Sequence, residues 1–432
     1  MKSVNIVTLG CSKNTVDSEN IAGHLQNVGF TVKFDDARNS SDIVIINTCG
    51  FIGDAKEESI NAILEYAELK RKKKNPKKII VCGCLSERYA EELAAEIPEV
   101  DAFYGVHQWN ELLASLIDNF ANDDFASRKL QSTPKHYAYI KIAEGCNRRC
   151  SYCAIPLIRG KFVSRPIEDI VREAKELVQN GVKELLLIAQ DTTYYGVDIY
   201  GKRCLGELLE QLATLSGAKW IRLHYTFPSS FPDDVVEVMN KYDCICNYID
   251  IPLQHINTEI LASMQRGIDE GDTMELLRKF RTQLPNVAIR TALIVGYPNE
   301  TEEQFQQLKN FVKEMRFERL GVFKYSAEEG TSSYLLGDTV PEEEKQRRMD
   351  EIMEIQETIS IQKNMEKVGM VCTVLVDRKE GDFWVGRTEF DSPEIDNEVL
   401  IQTTAKLKVG EFYKVKIDDA MEYDLMASLV EE

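Results

Sequence analysis

The sequence predicts an α/β protein with an N-terminal open parallel-sheet region, a central partial barrel and a C-terminal β segment. Three patterns support this fold class. Apolar strands alternate with helices three times in residues 1–120 and six times between residues 137 and 325, and short strands broken by glycines follow residue 365. Such alternation builds parallel sheets with right-handed crossovers. Because eight strand–helix units close a full barrel, six units predict an open one.

The N-terminal region contains three predicted strands, and a cysteine follows each of them. The strands cover residues 4–9, 43–47 and 78–81, and the helices after them cover about 18–28, 55–69 and 87–96. Because sites form at the carboxyl ends of parallel strands, we expect Cys11, Cys49 and Cys84 to meet at one sheet edge and to bind a metal. The alternative is that they are ordinary buried cysteines. Cys82 lies inside the third strand, so Cys84 is the better ligand.

The central region repeats a strand–helix unit, and polar residues end several of its strands. The strands are predicted at residues 137–143, 183–190, 220–225, 248–253, 288–295 and 320–325, with amphipathic helices such as 167–179 and 302–314 between them. Barrel enzymes place their sites at the C-terminal ends of their strands. Gln190 and Asp191 end the second strand, and Gly296 follows the fifth, where a glycine lets backbone approach a ligand closely.

Three cysteines, Cys146, Cys150 and Cys153, follow the first central strand with gaps of three and then two residues. Three thiolates can bind three irons of a 4Fe–4S cluster and leave the fourth iron open to a substrate or cofactor. Structural zinc usually takes four ligands, and the histidine closest in sequence, His136, lies ten residues upstream. A disulfide framework does not suit a long chain with 11 cysteines. The triplet therefore predicts chemistry at an open cluster.

Composition and charge restrict the class of protein. No apolar run approaches the roughly 18 residues of a membrane helix, and the N-terminus reads as a strand without the features of a signal peptide. With many thiols, the expected compartment is the reducing cytoplasm. The net charge of −19 disfavours a general nucleic-acid binder and suits a cationic partner. The basic run at residues 70–78 leaves RNA contact as a secondary hypothesis.

The cysteine triplet after the first strand of a six-unit barrel resembles the radical S-adenosylmethionine enzymes. Within that superfamily, Gly10-Cys11, Asn47-Thr48-Cys49 and Gly83-Cys84-Leu85 are similar to the methylthiotransferases. The C-terminal segment resembles a TRAM domain, a small antiparallel β-barrel, with strands at residues 371–377, 384–388, 398–401 and 412–418. The resemblance implies a methylthiotransferase N-terminal domain at 1–120, a radical S-adenosylmethionine core at 132–363 and a TRAM domain at 364–432.

Two methylthiotransferase subfamilies differ in substrate. One modifies an adenosine of transfer RNA, and the other modifies the β-carbon of an aspartate in small-subunit ribosomal protein S12. Residues 250–255, 321–331 and 391–396 are similar to the second subfamily. Residues 365–432 carry 8 Lys and Arg against 16 Asp and Glu, whereas a phosphate-binding surface should be basic. The sequence therefore favours the ribosomal protein, with transfer RNA as the alternative.

The resemblance also implies cofactors and roles. Cys146, Cys150 and Cys153 would hold a 4Fe–4S cluster that binds S-adenosylmethionine and generates a radical, with Tyr152 near the adenine and Gln190, Asp191 and Gly296 lining the cofactor pocket. Cys11, Cys49 and Cys84 would hold a second 4Fe–4S cluster that supplies sulfur. The expected partners are S12 or the small ribosomal subunit and an electron donor of flavodoxin or ferredoxin type, with no membrane. A non-catalytic cluster-binding scaffold and a radical enzyme of another kind remain alternatives.

Overall fold

The computed structural model describes residues 2–38, 40–118, 120 and 130–430. The chain divides into two compact units. The first comprises Met1–Thr133, Glu144–Asn147 and Ala154–Phe162, and the second comprises Pro134–Ala143, Arg148–Cys153 and Val163–Glu432. Residues 121–129, between the first two predicted domains, lie outside the described residues. The division into three domains stays a prediction.

The first unit is built on a parallel five-stranded sheet in the order β2-β1-β3-β4-β5. Its strands are β1 (Ser3–Thr8), β2 (Thr31–Phe34), β3 (Ile43–Thr48), β4 (Lys78–Gly83) and β5 (Ala102–Tyr104). Its first helices are α1 (Ser12–Asn27), α2 (Gly53–Arg71), α3 (Cys84–Glu96) and α4 (Trp109–Ala114). The sequence pattern predicts the three central strands but misses the edge strands β2 and β5, which are short and only partly buried.

Helix α1 begins at Ser12, six residues before the predicted start near residue 18. The first turns contain Lys13, Asn14 and Asp17, which are polar in sequence but buried in the structure. An apolar-periodicity argument cannot detect a helix whose buried face is polar. This polar, buried start of α1 lies directly after Cys11 and turns out to belong to the candidate site.

Both faces of the first sheet are covered, as expected for a parallel sheet. Alternate residues of each strand point to opposite faces. Val4, Ile6, Ile45 and Ile80 pack with Ile21 of α1 on one face. On the other face, one core holds residues of β3 and β4 together with α2 and α3: Val44, Ile46, Ile79, Val81, Ile63 and Leu93. Each fully buried side chain of this size contributes about 1.5–3 kcal/mol to folding, so the central strands form a firm base for the turns at their carboxyl ends.

The second unit contains six parallel strands in two three-stranded sheets, ordered β6-β9-β10 and β11-β12-β13. A β-bridge between Ile221 of β10 and Ile245, just before β11, connects the two sheets. The strands are β6 (Tyr137–Lys141), β9 (Glu184–Ile188), β10 (Trp220–Leu223), β11 (Tyr248–Asp250), β12 (Ala288–Val295) and β13 (Arg319–Lys324). Two short strands, β7 (Ala143–Glu144) and β8 (Val163–Ser164), come between β6 and β9 in the chain. The prediction of an open six-stranded barrel is confirmed.

Helices alternate with these strands along the chain. They are α5 (Ile155–Arg159), which belongs to the first unit, and α6 (Ile167–Gln179), α7 (Val197–Tyr200), α8 (Leu205–Leu215), α9 (Asp233–Lys241), α10 (Thr258–Ser263), α11 (Glu270–Gln283), α12 (Glu302–Met315) and α13 (Glu342–Met365). The helix α12 begins with a capping box between Thr301 and Gln304, which satisfies two otherwise free backbone donors. No helix in the described part of the chain is long and apolar enough to cross a membrane.

The C-terminal strands close into a five-stranded barrel in the order β14-β15-β16-β18-β17. The strands are β14 (Val371–Glu380), β15 (Phe383–Arg387), β16 (Val399–Gln402), β17 (Phe412–Ala420) and β18 (Leu425–Leu429). Strand β18 is absent from the sequence prediction. Four of the five pairings are antiparallel, while β16 and β18 pair in parallel. Closure leaves no unpaired edge for another chain to extend.

The loop at residues 388–397, between β15 and β16, packs against the central strands of the same unit. Asp391 accepts a hydrogen bond from Arg319 of β13 at 3.1 Å. Glu394 accepts one from the hydroxyl of Tyr137 of β6 at 2.9 Å. These polar contacts, one buried and one partly buried, join the C-terminal barrel to the central strands through residues that the sequence places far apart.

Candidate metal centres

The three N-terminal cysteines lie at the carboxyl ends of three neighbouring parallel strands. Cys11 is the N-cap of α1 just after β1, Cys49 follows β3, and Cys84 is the first residue of α3 directly after β4. Strand β3 pairs with both β1 and β4. The structure thus brings the three predicted ligands to one edge of the sheet, while Cys82 stays inside β4 and fully buried.

Glycines beside the cysteines allow the three turns to approach each other. Gly10 has a φ of +94°, and a Cβ there would lie 2.6 Å from the Cβ of Cys49. A Cβ at Gly50 would lie 2.7 Å from the backbone nitrogen of Leu85, next to Cys84. Real Cβ atoms do not tolerate such contacts, so larger residues would push the cysteine-bearing turns apart.

Buried polar side chains fix the same turns. The amide of Asn14 donates to the carbonyl of Leu9 at 2.8 Å and to that of Thr48 at 3.0 Å. The hydroxyl of Ser59 accepts from the backbone N–H of Cys49 at 3.0 Å and donates to its carbonyl at 2.9 Å. Satisfied buried networks of this kind hold a unique geometry. They pre-arrange the three thiols before any metal binds.

Burial shifts the pKa of Cys49 and of Cys84. Desolvation raises the pKa of Cys49 to about 12 and also raises the pKa of Cys84, although the positive charge of Arg159 opposes the shift at Cys84. Thiolates are the metal-binding form, so metal binding must displace protons from both residues. Burial therefore disfavours free thiolates at this site, whereas a bound metal would stabilise the thiolate form.

The donor set fits an iron–sulfur cluster better than a single ion. Within the described residues, no group of three Cys, His, Asp or Glu side chains is compact enough to hold one metal ion. Cysteines that bind different irons of one cluster lie further apart than the ligands of one ion, and clusters take cysteine thiolates. Three cysteines on separate turns, which the glycines allow to approach each other, match that requirement.

The central triplet is distributed between the two units. Cys146 belongs to the segment that groups with the first unit, where its backbone N–H donates to the carbonyl of Gly160 at 3.0 Å. Cys150 and Cys153 belong to the second unit. Their turn is closed by a hydrogen bond from the N–H of Cys153 to the carbonyl of Cys150 at 3.1 Å.

Ser151 anchors this turn to the second unit. Its N–H donates to the carbonyl of Met264 at 3.0 Å, its carbonyl accepts from the N–H of Ser333 at 2.8 Å, and its hydroxyl is 2.8 Å from that of Tyr297. Tyr152, the next residue, packs beside the buried side chains of Ile260 and Met264. The turn that carries Cys150 and Cys153 is thereby held in a largely apolar environment.

A buried arginine, Arg266, lies beside Cys150 and was not foreseen from the sequence. It donates to the Cys150 sulfur at 3.5 Å and to the Tyr152 hydroxyl at 3.2 Å. Its guanidinium carbon is 4.1 Å from the ring centre of Phe227, and that of Arg148 is 4.0 Å from the same ring. The Nε of Arg266 is buried and has no hydrogen-bond partner among the described residues. An open, buried donor of this kind suits an anionic or sulfur-containing group beside Cys150.

The predicted cofactor contacts Asp191 and Tyr152 lie beside arginines in the structure. Asp191, which directly follows Gln190, accepts hydrogen bonds from Arg148 at 2.7 Å and from Thr193 at 2.6 Å. Burial raises the pKa of Tyr152, which keeps its hydroxyl neutral next to Arg266. Arg148 and Arg149 stand between Cys146 and Cys150 in the sequence, and these two basic residues were a signal for positive charge near the cysteines.

Gly296 follows β12 and has a structural reason to be glycine. Its φ is +70°, and a Cβ there would run into the side chain of Lys345 from α13. Its N–H donates to the carboxylate of Glu300, which lies 3.3 Å from His255 and 3.1 Å from Arg348. The strand end is thus held by a buried polar network. The place of Gly296 in a cofactor pocket stays a prediction.

Comparison with known proteins gives the same organisation. Three family models match: "Uncharacterized protein family UPF0004" at residues 3–105, "Radical SAM superfamily" at 140–312 and "TRAM domain" at 368–430. Among solved structures, the radical S-adenosylmethionine methyltransferase TsrM from Kitasatospora setae, with cobalamin and a [4Fe-4S] cluster bound, has a TM-score of 0.53. It is 13% identical and the match covers 95% of this chain and 84% of that one, so it supports the fold alone.

Curated relatives match along the whole chain. A protein from Phocaeicola vulgatus named ribosomal protein uS12 methylthiotransferase RimO is 52% identical over 430 residues, which cover 99% of each chain. A protein of the same name from Christiangramia forsetii is 55% identical over 423 residues, covering 98% of this chain and 93% of the relative. With the superfamily match and the cysteine-bearing strand ends described above, these identities show that the chain belongs to the ribosomal protein uS12 methylthiotransferase family of radical S-adenosylmethionine enzymes.

Proposed function

We propose that this chain transfers a methylthio group to the β-carbon of an aspartate in ribosomal protein uS12. The observation that carries the proposal is full-length identity of 52% and 55% to proteins named for that activity. The charge supports it, because a chain with a net charge of −19 suits a basic protein. The acidic C-terminal segment disfavours the alternative, an adenosine of transfer RNA, since a phosphate-binding surface should be basic.

Membership of the family implies S-adenosylmethionine and one 4Fe–4S cluster as cofactors. We assign that cluster to Cys146, Cys150 and Cys153, and a second 4Fe–4S cluster to Cys11, Cys49 and Cys84. When bound, these groups supply the radical that removes an unactivated hydrogen and the sulfur that replaces it, which no side chain can do. Support for the second cluster comes from the convergent strand ends, the glycine-lined turns and the buried thiols.

The residues of the second unit bind and shield the reacting groups. Ser151 holds the turn of Cys150 and Cys153 through its backbone and its hydroxyl. Arg266 donates to the Cys150 sulfur, and the apolar surroundings of Tyr152 keep water away. Excluding water protects a reactive intermediate from side reactions. Gln190, Asp191 and Gly296 remain our candidates for the cofactor pocket.

The residues of the first unit hold the sulfur-supplying site. Asn14 and Ser59 keep the turns of the three cysteines in place before metal arrives. Because Cys49 and Cys84 are buried, the sulfur bound there would meet little water. The three-cysteine set leaves one iron without a protein ligand, which is where a sulfur ligand can bind.

The proposed partners follow from this chemistry. Radical generation needs an electron from a donor of flavodoxin or ferredoxin type. The substrate is uS12 itself or the small ribosomal subunit that contains it, which places the enzyme in the cytoplasm. A secondary role for the TRAM domain is to contact ribosomal RNA when the enzyme docks to the small subunit.

Mass spectrometry of uS12 tests the proposal. In cells that lack this protein, the modified aspartate should lose the methylthio group, and a plasmid with the natural chain should restore it. A chain carrying Cys153→Ala should fail to restore it. If uS12 from the deficient cells still carries the group, the proposal is wrong. Loss of a methylthio group from transfer RNA instead would support the alternative substrate.

A further inference from the structure

A buried arginine, Arg159, contacts a candidate ligand of the N-terminal site. It is the last residue of α5 and only 2% exposed. Its Nη2 donates to the Cys84 sulfur at 3.4 Å and to the Oδ1 of Asn14 at 2.6 Å. Its Nη1 donates to Asp17 at 2.9 Å and to Glu144 at 3.1 Å. One guanidinium therefore joins two carboxylates, an amide and a thiol within the first unit.

Ion pairing alone does not explain this arrangement. A buried guanidinium needs carboxylate partners to offset its lost hydration, and Asp17 and Glu144 supply them. The other terminal nitrogen, Nη2, donates to Cys84 and to Asn14. The Oδ1 atom of Asn14 is itself 3.8 Å from the Cys84 sulfur. By accepting a hydrogen bond from Nη2, Asn14 holds the guanidinium of Arg159 beside the Cys84 sulfur.

We propose that Arg159 is a positioning residue that raises the reduction potential of the cluster held by Cys11, Cys49 and Cys84. This inference rests on the second cluster of the proposed function. Reduction adds negative charge to a cluster and its ligand sulfurs. A hydrogen bond to a ligand sulfur and a nearby positive charge stabilise the reduced form more than the oxidised form. Reduction therefore becomes easier when Arg159 is present.

The two carboxylates oppose this effect but do not cancel it. They accept hydrogen bonds from Nη1, whereas the sulfur accepts one from Nη2. Coulomb energy falls with distance, and the guanidinium is the charged group in direct contact with the sulfur. Removing Arg159 should lower the potential, and neutralising Asp17 should raise it. These opposite signs distinguish charge tuning from a purely structural role.

The second unit repeats this arrangement at the other set of cysteines. Arg266 is 4% exposed and donates to the sulfur of Cys150 at 3.5 Å. At each set of cysteines, a buried arginine thus donates a hydrogen bond to a cysteine sulfur. This repetition indicates that the arginines act on the sulfur atoms and do not serve local packing alone.

The test uses the full chain with Cys146→Ala, Cys150→Ala and Cys153→Ala, so that only the N-terminal cluster can form. After anaerobic reconstitution with iron and sulfide, a redox titration followed by electron paramagnetic resonance gives the midpoint potential. Arg159→Gln should shift it to a lower value and Arg159→Lys by less, because lysine keeps the charge. Asp17→Asn should shift it upward. Arg71→Gln is the control: it removes the same charge from an exposed pair with Glu99 and should leave the potential unchanged.

The outcomes separate the two proposals. If the parent chain with three alanines binds no iron, both the second cluster and this inference are overturned. If iron binds and neither Arg159→Gln nor Asp17→Asn moves the potential, this inference alone is overturned. Should Arg159→Gln lose its iron, Asp17→Asn decides the matter, since an upward shift supports the tuning role and an unchanged potential contradicts it.

Discussion

At the scale of single residues, Cys82 and Cys84 lie only two positions apart but occupy different environments. Cys82 lies within β4 and is fully buried, whereas Cys84 begins α3 at the sheet edge. Residues two apart share one face of a strand, so alternation does not separate the two thiols. They differ because Cys84 lies past the end of the strand, on the first turn of α3. Burial raises the pKa of both thiols, so protonation does not distinguish them.

Cys84→Ala should therefore remove the N-terminal cluster, and Cys82→Ala should not. In the chain reconstituted without oxygen, we expect Cys84→Ala to lower the iron content by about four irons per chain, the content of one 4Fe–4S cluster. Cys82→Ala is the matched control, because it removes a buried thiol two residues away. Iron and sulfide quantitation is the measurement, and equal iron in both variants would contradict the assignment of ligands.

Gly296→Ala should destabilise the second unit. The φ of +70° disfavours any side chain, and the new methyl group would meet Lys345. We expect a loss of about 1–2 kcal/mol in the free energy of unfolding, measured by urea denaturation of the chain without metal. Gly337→Ala is the control, because φ is +76° there and nothing lies within 4 Å. A loss no greater than that of Gly337→Ala would show that contact with Lys345 costs nothing.

At the scale of elements, the loop at residues 388–397 connects the C-terminal barrel to the central strands. Asp391 is buried and pairs with Arg319, and its other oxygen accepts a hydrogen bond from Thr388 at 2.5 Å. Burial alone would raise the pKa of Asp391, but the charges of Arg319 and Lys367 lower it below the ordinary value of 3.8. The carboxylate therefore stays charged in the folded protein.

Asp391→Asn should destabilise the second unit in a pH-dependent way. A lowered pKa in the folded state means that the charged carboxylate adds stability above about pH 4 and that this contribution disappears as the pH falls further. At pH 7 we expect a loss of about 3 kcal/mol, because Arg319 is left without its buried partner. The difference from the natural chain should shrink at pH 3.

Urea denaturation at both pH values measures this difference. Glu380→Gln is the control, because the pair of Glu380 with Arg378 is largely exposed and should contribute less than about 1 kcal/mol. A cost for Asp391→Asn that does not change between pH 7 and pH 3 would rule out a contribution from the charge of Asp391.

At the scale of the whole molecule, net charge connects the chain to its proposed substrate. A net charge of −19 creates a field that attracts a basic protein and repels nucleic acid. The C-terminal segment contributes to that field, with 16 acidic against 8 basic residues after position 364. The field is long-ranged only at low ionic strength.

The association rate with free uS12 should therefore depend strongly on salt. We expect it to fall by about tenfold or more when the salt concentration rises from 0.05 to 0.5 M, the range expected for electrostatic steering. Stopped-flow fluorescence with labelled uS12 gives the rate. A rate that is independent of salt would show that the acidic surface has no part in recognition, and tight binding of transfer RNA would favour the alternative substrate.

The sequence by itself determined the fold class, the order of the central elements and the cysteines at the strand ends. These features depend on local periodicity and on the rule that parallel strands end at one edge. It missed the edge strands β2 and β5 and the last barrel strand β18. The edge strands β2 and β5 are short and only partly buried, which weakens their pattern.

Only the tertiary structure decided which charged groups reach the cysteines. Arg159 meets Cys84 across 75 residues of sequence, and Arg266 meets Cys150 across 116. Neither arginine belongs to a motif with a cysteine, and no periodicity connects them. Contacts of this kind arise when separate elements pack together, and burial then makes each charge interact strongly with its nearest partner. The sequence therefore predicts the sulfur ligands, and the packing decides which charges lie beside them.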